Sequence, residues 1–522
     1  MPIRMEKDPE QEQPRRDDSP ERNTGGGIGG GLGQLLPFLL MFVFKRPKIL
    51  IPVLLVGAIW YFFFGGSQMF SGGVQGGEED SGPSQFSFGA TLSEAEYDKA
   101  DVFEPLSATY GGAENQLPPA VSLLKYAPKR MHQGEQGSCV GWASSYAART
   151  ILQARATGAD PNSVAFSPAY LYNQIALDGC QGAYMNNAME TLLQHGDLPF
   201  SKFSYDDRSC DRQPNQSQAN EAAQFRIKGY NRLSQGGNNY GLDMQGVKQH
   251  LAQGAPVVIG MMVGGTFMHQ MMGRGTWQPT QRDYSGYGFS GHAMCVIGYD
   301  DNKQAVQIMN SWGPEWGDNG TAWVPYDAFQ NFTKEAYGLY PMGDAAKYDP
   351  NKLAVRFGLV ENESQTLIPL QAAGDHVFRT RAPMRLGTKF KVAITNSIEC
   401  YVYVFGQETD GSSYVLFPYT EKHSPYCGIT GTRLFPKDHS MTPDDKGKRD
   451  YIAIVVSKKQ LDWNVLNSRI NTSRQGSYVG KVREAVAQEE VPNVKFNVPD
   501  AVDFSCELNG KNVVATVIEI DK

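Results

Sequence analysis

The stretch Gln133-Gly-Glu-Gln-Gly-Ser-Cys-Val-Gly-Trp142 decides the reading of this chain. His292 and the segment Asn310-Ser-Trp-Gly-Pro-Glu-Trp-Gly-Asp-Asn-Gly320 follow it at distances that suit one composite site. A nucleophilic thiol needs a base to take its proton, a group to orient that base and a donor for the oxyanion. Cys139, His292, Asn310 and Gln133 supply one candidate for each. Ser138-Cys139 opens a helical run over 139–155, so the thiol is expected at a helix N-terminus. There the macrodipole, and a neighbouring imidazolium, lower its pKa. Taken singly these signals are weak, since a lone cysteine is most often buried filler and Asn-Ser-Trp-Gly can be an ordinary turn. Their order and spacing together point to catalysis.

Outward from this stretch the pattern is helical first, over 139–155, 166–177 and 184–195. Short β-branched apolar runs follow at 256–263, 292–299 and 305–309. Helices followed by antiparallel strands make an α+β domain with a cleft where the halves meet. After residue 350 the texture becomes alternating strands, at 389–395, 400–405, 414–417, 451–456, 494–498 and 513–520. Asn, Asp and Gly turns between them suggest a separate sandwich-like β domain over 346–522, interrupted by a helix near 474–488.

Gln133-Gly134, Gly137-Ser138-Cys139, Gly291-His292-Ala293 and Asn310-Ser-Trp-Gly313 resemble the papain family of cysteine peptidases, over roughly residues 105–345. His292 lies 153 residues after Cys139 and Asn310 lies 171 after it; the family spacing is about 130–150. Leu117-Pro118 is similar to the start of the family's mature domain. The resemblance implies a papain-like fold of two subdomains, a helical half and an antiparallel β half. It implies Cys139 as nucleophile, His292 as base and later acid, Asn310 orienting the imidazole, Gln133 completing the oxyanion hole, and Trp312 shielding the Asn310–His292 bond from water. Gly179-Cys-Gln-Gly-Ala183 resembles the family's cleft-lining segment. Gly182 and Ala183 would then bind substrate backbone, Tyr184 and Met185 would wall an apolar pocket, and Gly291 and Trp312 would complete the substrate-binding set. The usual partner position of Cys180 holds Gln136, and Cys210 falls where the family has another bridged cysteine, so the resemblance makes Cys180–Cys210 a candidate substitute pairing. Val140, Gly291 and Ala183 depart from the common pattern without removing a catalytic group. The region between the apolar run that ends at residue 64 and Leu117 is too short for the family's usual helical inhibitory propeptide and lacks its pattern, so control is expected from location, a partner or the other domain.

Length and composition set the bounds. A chain of 522 residues with 41% apolar content supports two folded domains. A formal charge of −7 and the lack of zinc-knuckle or helix-turn-helix spacing exclude nucleic acid as a partner. The seven cysteines are Cys139, Cys180, Cys210, Cys295, Cys400, Cys427 and Cys506. They form no CxxC pair, so no metal and no cofactor is expected. Cys295 reads as an inert buried thiol, and Cys400 and Cys427 as candidates for a second bridge. The C-terminal region is similar to an uncharacterised β-rich module of bacterial multidomain proteins. By analogy it would dock a protein or a cell-envelope partner.

Residues 35–44 and 49–64 are apolar and separated by Lys45-Arg-Pro-Lys48. The second run reads as a membrane anchor spanning about 49–66, within an anchor region 35–64. Basic residues precede it and an acidic, Gly/Ser-rich linker over 65–104 follows it. The positive-inside rule then predicts a single-pass membrane protein, with residues 1–34 as a flexible cytoplasmic tail and the catalytic domain periplasmic or extracellular. The expectation is therefore a membrane-tethered endopeptidase acting on a peptide or protein through an acyl-enzyme. The alternatives are a transpeptidase or amidase using the same residues, or a catalytically silent peptide-binding scaffold.

Overall fold

A helix runs unbroken from 139 to 157, with a π-helical stretch at Trp142–Arg149, and ends at Gly158, whose φ of 70° supplies the left-handed C-cap. Residues 139–152 are all buried. Ala143, Ser144, Ser145, Ala147 and Ala148 are small enough to let neighbouring elements approach on every side. The helix Pro168–Ile175 starts where the Ser167 side chain accepts from Tyr170 N and proline takes the first turn. Met185–Gln194 follows. The computed structural model describes residues 3–8, 86–342 and 349–522.

The second half of this domain is an antiparallel sheet. Its order is Tyr230–Arg232, Thr333–Leu339, Val257–Val263, Ser290–Asp300, Ala305–Met309 and Thr321–Pro325, with Ala120–Ser122 added to the far end of Ser290–Asp300. Ser290–Asp300 is buried from His292 to Tyr299 because it lies between other strands and under the helical half. The runs 256–263, 292–299 and 305–309 are thus strands as expected, and the order of helices before sheet is α+β.

The C-terminal domain is two sheets packed face to face. One holds His439–Pro443, Phe390–Asn396, Lys352–Glu361, Val502–Glu507 and Phe496–Asn497; the other holds Leu370–Gly374, Val377–Thr380, Val513–Asp521, Arg449–Ser457, Cys400–Gln407 and Ser413–Phe417. Val402 and Val404 point between the sheets, where they meet Phe357, Val392 and Ile454. Tyr403 and Phe405 point the other way, beneath the helices Trp463–Thr472 and Tyr478–Val486. Period-two alternation thus feeds two cores, one on each face of a sheet. The helix expected near 474–488 is Tyr478–Val486, and a second one, Trp463–Thr472, precedes it.

The membrane topology is corrected. Among the described residues no helix is long and apolar enough to cross a membrane, and the apolar runs at 35–64 lie outside the described residues. The strand Ile3–Lys7 pairs antiparallel with His439–Pro443 of the C-terminal domain, and Ile3 is buried in that domain's core. Lys391 Nζ donates to Asp8 Oδ2 at 2.5 Å. One crossing over 49–66 would place these paired strands on opposite sides of the bilayer, so the single-pass, cytoplasmic-tail reading fails on strand pairing. Residues 86–104, assigned to the linker by composition, lie folded against the helical and sheet halves.

Cys180 and Cys210 are bridged, with their Cα atoms 5.9 Å apart. Cys400 and Cys427 face each other in register but are not bridged. Closing a loop of 30 residues restricts the unfolded chain, so Cys210→Ser is expected to lower stability by about 2–4 kcal/mol, read from denaturant midpoints under non-reducing conditions.

Candidate active site

Cys139 is the first residue of its helix, and its sulfur accepts a hydrogen bond from Ala293 N at 3.3 Å. His292 therefore comes from the strand directly facing the helix start. Its Nε2 lies 2.7 Å from Asn310 Oδ1, while Nδ1 is buried with no hydrogen-bond partner. Asn310 Oδ1 also accepts from Ser311 N at 2.7 Å, which fixes the amide. Trp312 stacks on the imidazole, with ring centroids 4.4 Å apart and planes inclined by 26°. Gln133 is held by Ser311 on two sides: its N–H donates to Ser311 O at 2.8 Å and its Oε1 accepts from Ser311 Oγ at 2.6 Å. Gln133 Nε2 donates to Gln136 O at 2.9 Å. Cys139, His292, Asn310 and Gln133, separated by up to 177 positions in the chain, thus meet in one place.

Residues 125–340 match the family described as papain family cysteine protease, and residues 384–460 match a domain of unknown function, DUF4384. Residues 125–340 form a papain-family cysteine protease domain. The enzyme class is hydrolase. An uncharacterised peptidase C1-like protein of Acanthamoeba polyphaga mimivirus is 26% identical over 245 residues, covering 45% of this chain and 77% of that protein. Cathepsin B-like CP2 of Giardia intestinalis is 28% identical over 197 residues, 37% of this chain and 62% of its own length. Among solved structures, xylellain, a cysteine protease from Xylella fastidiosa, aligns with a TM-score of 0.40 at 21% identity, over 51% of this chain and 98% of that one.

The cleft of the protease domain is filled by the chain itself. Gly89 N and Ala90 N both point to Gly291 O, at 3.4 and 3.2 Å; Thr91 N donates to Ala183 O at 3.1 Å and Ala183 N donates to Gly89 O at 2.9 Å. Ala90 and Ala183 pair parallel. Phe88 meets the His292 ring edge-on at 6.2 Å, Phe86 stacks on Trp312, and Trp312 Nε1 donates to Ser87 O at 3.0 Å. A Cβ on Gly89 would stand 2.0 Å from Gly137 O, so only glycine passes this close to the loop before Cys139. Gly182 is similarly tight, with φ of 132° and Gly89 O 2.7 Å from where its Cβ would be.

Of the expected substrate-binding residues, Gly182, Ala183, Gly291 and Trp312 therefore touch this segment directly. Met185 lines a pocket holding Leu92, and Tyr184 precedes the helix Met185–Gln194 as its N-cap residue. Two further pocket residues escaped sequence reading. Gly260 leaves the space that Leu92 enters, its missing Cβ falling 2.4 Å from Leu92 Cδ2 and 2.7 Å from Met185 Sδ. Glu335 borders the same space, and its carboxylate accepts from Ser93 N at 2.7 Å. A glutamate inside the apolar strand Thr333–Leu339 was the available signal.

Cys139 and His292 are wholly buried under this cover. Burial pushes the Cys139 thiol up to about 12, against N–H donors led by Ala293, and pulls His292 down to about 4, against its bond to Asn310. The expected low thiol pKa is therefore absent from the covered state, because removing water penalises both charges of a thiolate–imidazolium pair. Glu335 is likewise raised to about 7 by burial. Alkylation of Cys139 by iodoacetamide at pH 6 should thus be no faster in the intact chain than for a free thiol of pKa about 8.5. Phe88→Ala/Leu92→Ala should accelerate it, as read by mass spectrometry of the Cys139 peptide.

Proposed function

We propose that this protein is a cysteine endopeptidase that hydrolyses peptide bonds of a peptide or protein substrate through an acyl-enzyme on Cys139. The observation that carries the reading is the imidazole of His292, bonded through Nε2 to Asn310, with a free Nδ1 on the strand whose next N–H meets the Cys139 sulfur.

Once residues 86–92 leave, water and substrate restore polarity to the cleft, and the thiol proton passes to His292 Nδ1. The thiolate attacks the scissile carbonyl carbon. The resulting oxyanion accepts from the Cys139 backbone N–H and from Gln133 Nε2, whose amide is pre-set by Ser311. The imidazolium then gives its proton to the departing amine, the C–N bond breaks, and an acyl thioester remains. A water molecule, deprotonated by His292, attacks that thioester and releases the carboxylic acid and the thiol. Asn310 keeps one ring orientation throughout, and Trp312 shields that bond from water. Ala183 and Gly291 offer substrate the backbone groups that residues 89–91 occupy in the covered state. The Leu92 pocket supports acceptance of an apolar side chain, and Glu335 at its border adds attraction for a basic one.

The test is cleavage of fluorogenic peptides by the full chain carrying Phe88→Ala/Leu92→Ala. Cys139→Ala in that background should abolish turnover, and Gln133→Ala should lower kcat by about 10²–10³-fold. Turnover that survives Cys139→Ala would overturn the reading. Glu335→Gln should reduce turnover of peptides with a basic residue two positions before the cut relative to those with leucine there.

A further inference from the structure

The covering segment is fastened by a carboxylate where the cleft ends. Leu92 is the last residue to enter the pocket, and the next N–H, that of Ser93, donates to Glu335 Oε1 at 2.7 Å. Beyond it the Ser93 side chain caps the short helix Glu94–Tyr97, and Tyr97 is buried in the protease core with its Oη donating to Ala336 O at 3.1 Å. Glu335 therefore sits at the junction between chain that is locked into the core and chain that covers Cys139. Its other oxygen, Oε2, accepts from Tyr337 Oη at 3.0 Å. The residue is 3% exposed. The space around it is apolar: Gly260 stands opposite on the neighbouring strand, and Leu92 and Met185 close the gap left by its missing Cβ. The titratable groups that face the carboxylate are Tyr337 on its own strand and Glu96 and Tyr97 on the short helix. Glu96 repels it, and Lys99 holds Glu96 at 2.7 Å. Among the described residues no cation pairs with Glu335.

We propose that Glu335 is a pH-gated clamp on the cleft: it grips Ser93 while protonated and lets the covering segment lift away when it ionises. The protonated group keeps a carbonyl oxygen for Ser93 N, and its hydroxyl has Tyr337 Oη to donate to. The ionised group fares worse under cover. Two neutral donors return only part of the solvation that a carboxylate loses on burial, and Glu96 adds repulsion, so charge here favours the open cleft, where water reaches it. Burial raises Glu335 to about 7 under the cover, whereas a glutamate in a wet pocket titrates near about 4.3. A group raised in the covered state gives the cover its full hold below the open-state value and loses that hold as pH rises through about 7. The gate thus opens towards neutral and alkaline pH. Two other groups titrate under the same cover. His292, lowered to about 4, acts with the opposite sign, since acid opens the cleft through it, and Cys139, raised to about 12, favours opening in alkali. The clamp concerns the cover; that opening uncovers a working site rests on the peptidase reading.

The test uses the full chain carrying Cys139→Ser/His292→Gln, which removes those two groups, with and without Glu335→Gln. Glutamine keeps an oxygen for Ser93 N and carries no charge at any pH. Amide exchange at Ala90 and Thr91, corrected for the intrinsic pH dependence of exchange, reads the cover. Exchange at Ser167, whose N–H donates to Leu198 O at 2.9 Å in the helical half, reads the fold. With Glu335 in place, protection at Ala90 and Thr91 is expected to fall about 70-fold between about pH 5 and about pH 8. With Glu335→Gln it should stay level, and Ser167 should not change in either chain. Protection that falls equally in both chains, or in neither, overturns the clamp, and so does a fall at Ser167 in step with Ala90 and Thr91. If exchange follows the expectation but Cys139 of the otherwise unaltered chain takes up no thiol-trapping epoxide at about pH 8, the clamp stands and the peptidase reading falls instead.

Discussion

The contact on which the candidate site depends is the 3.3 Å hydrogen bond from Ala293 N to the Cys139 sulfur, because it joins the two halves of the protease domain beside His292. It exists only if Ser290–Asp300 keeps its register. His292 is opposite Met261 and Ala293 opposite Gly260 in the neighbouring strand. A slip of one residue would turn His292 to the other face of the sheet. Asn310 follows directly on the next strand, Ala305–Met309, whose register places Met309 opposite Cys295. The histidine and its orienting amide are therefore set by one sheet, and the thiol by one helix end.

Burial acts in two directions at this site. A dry environment strengthens the His292–Asn310 bond and the stack of Trp312 on the imidazole, which holds the ring in one orientation. The same dryness holds the thiol and the imidazole neutral while residues 86–92 are in place. The covered state thus keeps thiol, imidazole and amide in place without charge separation. The close approach at Gly89 and the parallel pairing of Ala90 with Ala183 keep a peptide against the loop before Cys139 through backbone contacts, while Leu92 fills the pocket beyond.

Two stretches of the described chain also bridge the domain boundary. Residues 98–115 are bonded to both domains, and Ile3–Lys7 extends a sheet whose other members begin at Lys352. Neither crossing belongs to the segment of 125–340 that carries the protease match. Hydrogen bonding and packing both run across the boundary that composition places near 346: Ile429 is buried with the protease-domain residues and Ile3 with those of the C-terminal domain.

The sequence by itself determined the helix carrying Cys139, the strands carrying His292 and leading to Asn310, and the alternating strands of the C-terminal domain. Each is a local pattern, of small and apolar residues at helical spacing or of apolar residues at period two, and each is legible without the rest of the chain. The tertiary structure alone decided three things. Residues 86–92 read as a Gly/Ser-rich tether, but they bind through backbone N–H and C=O groups, which every residue carries and no side-chain pattern announces. Gly260 and Glu335 became pocket residues only when Leu92 was brought between them from far away in sequence. The thiol's pKa, expected low from the helix terminus, is set instead by what covers it, because desolvation depends on neighbours that no local reading of Ser138-Cys139 contains.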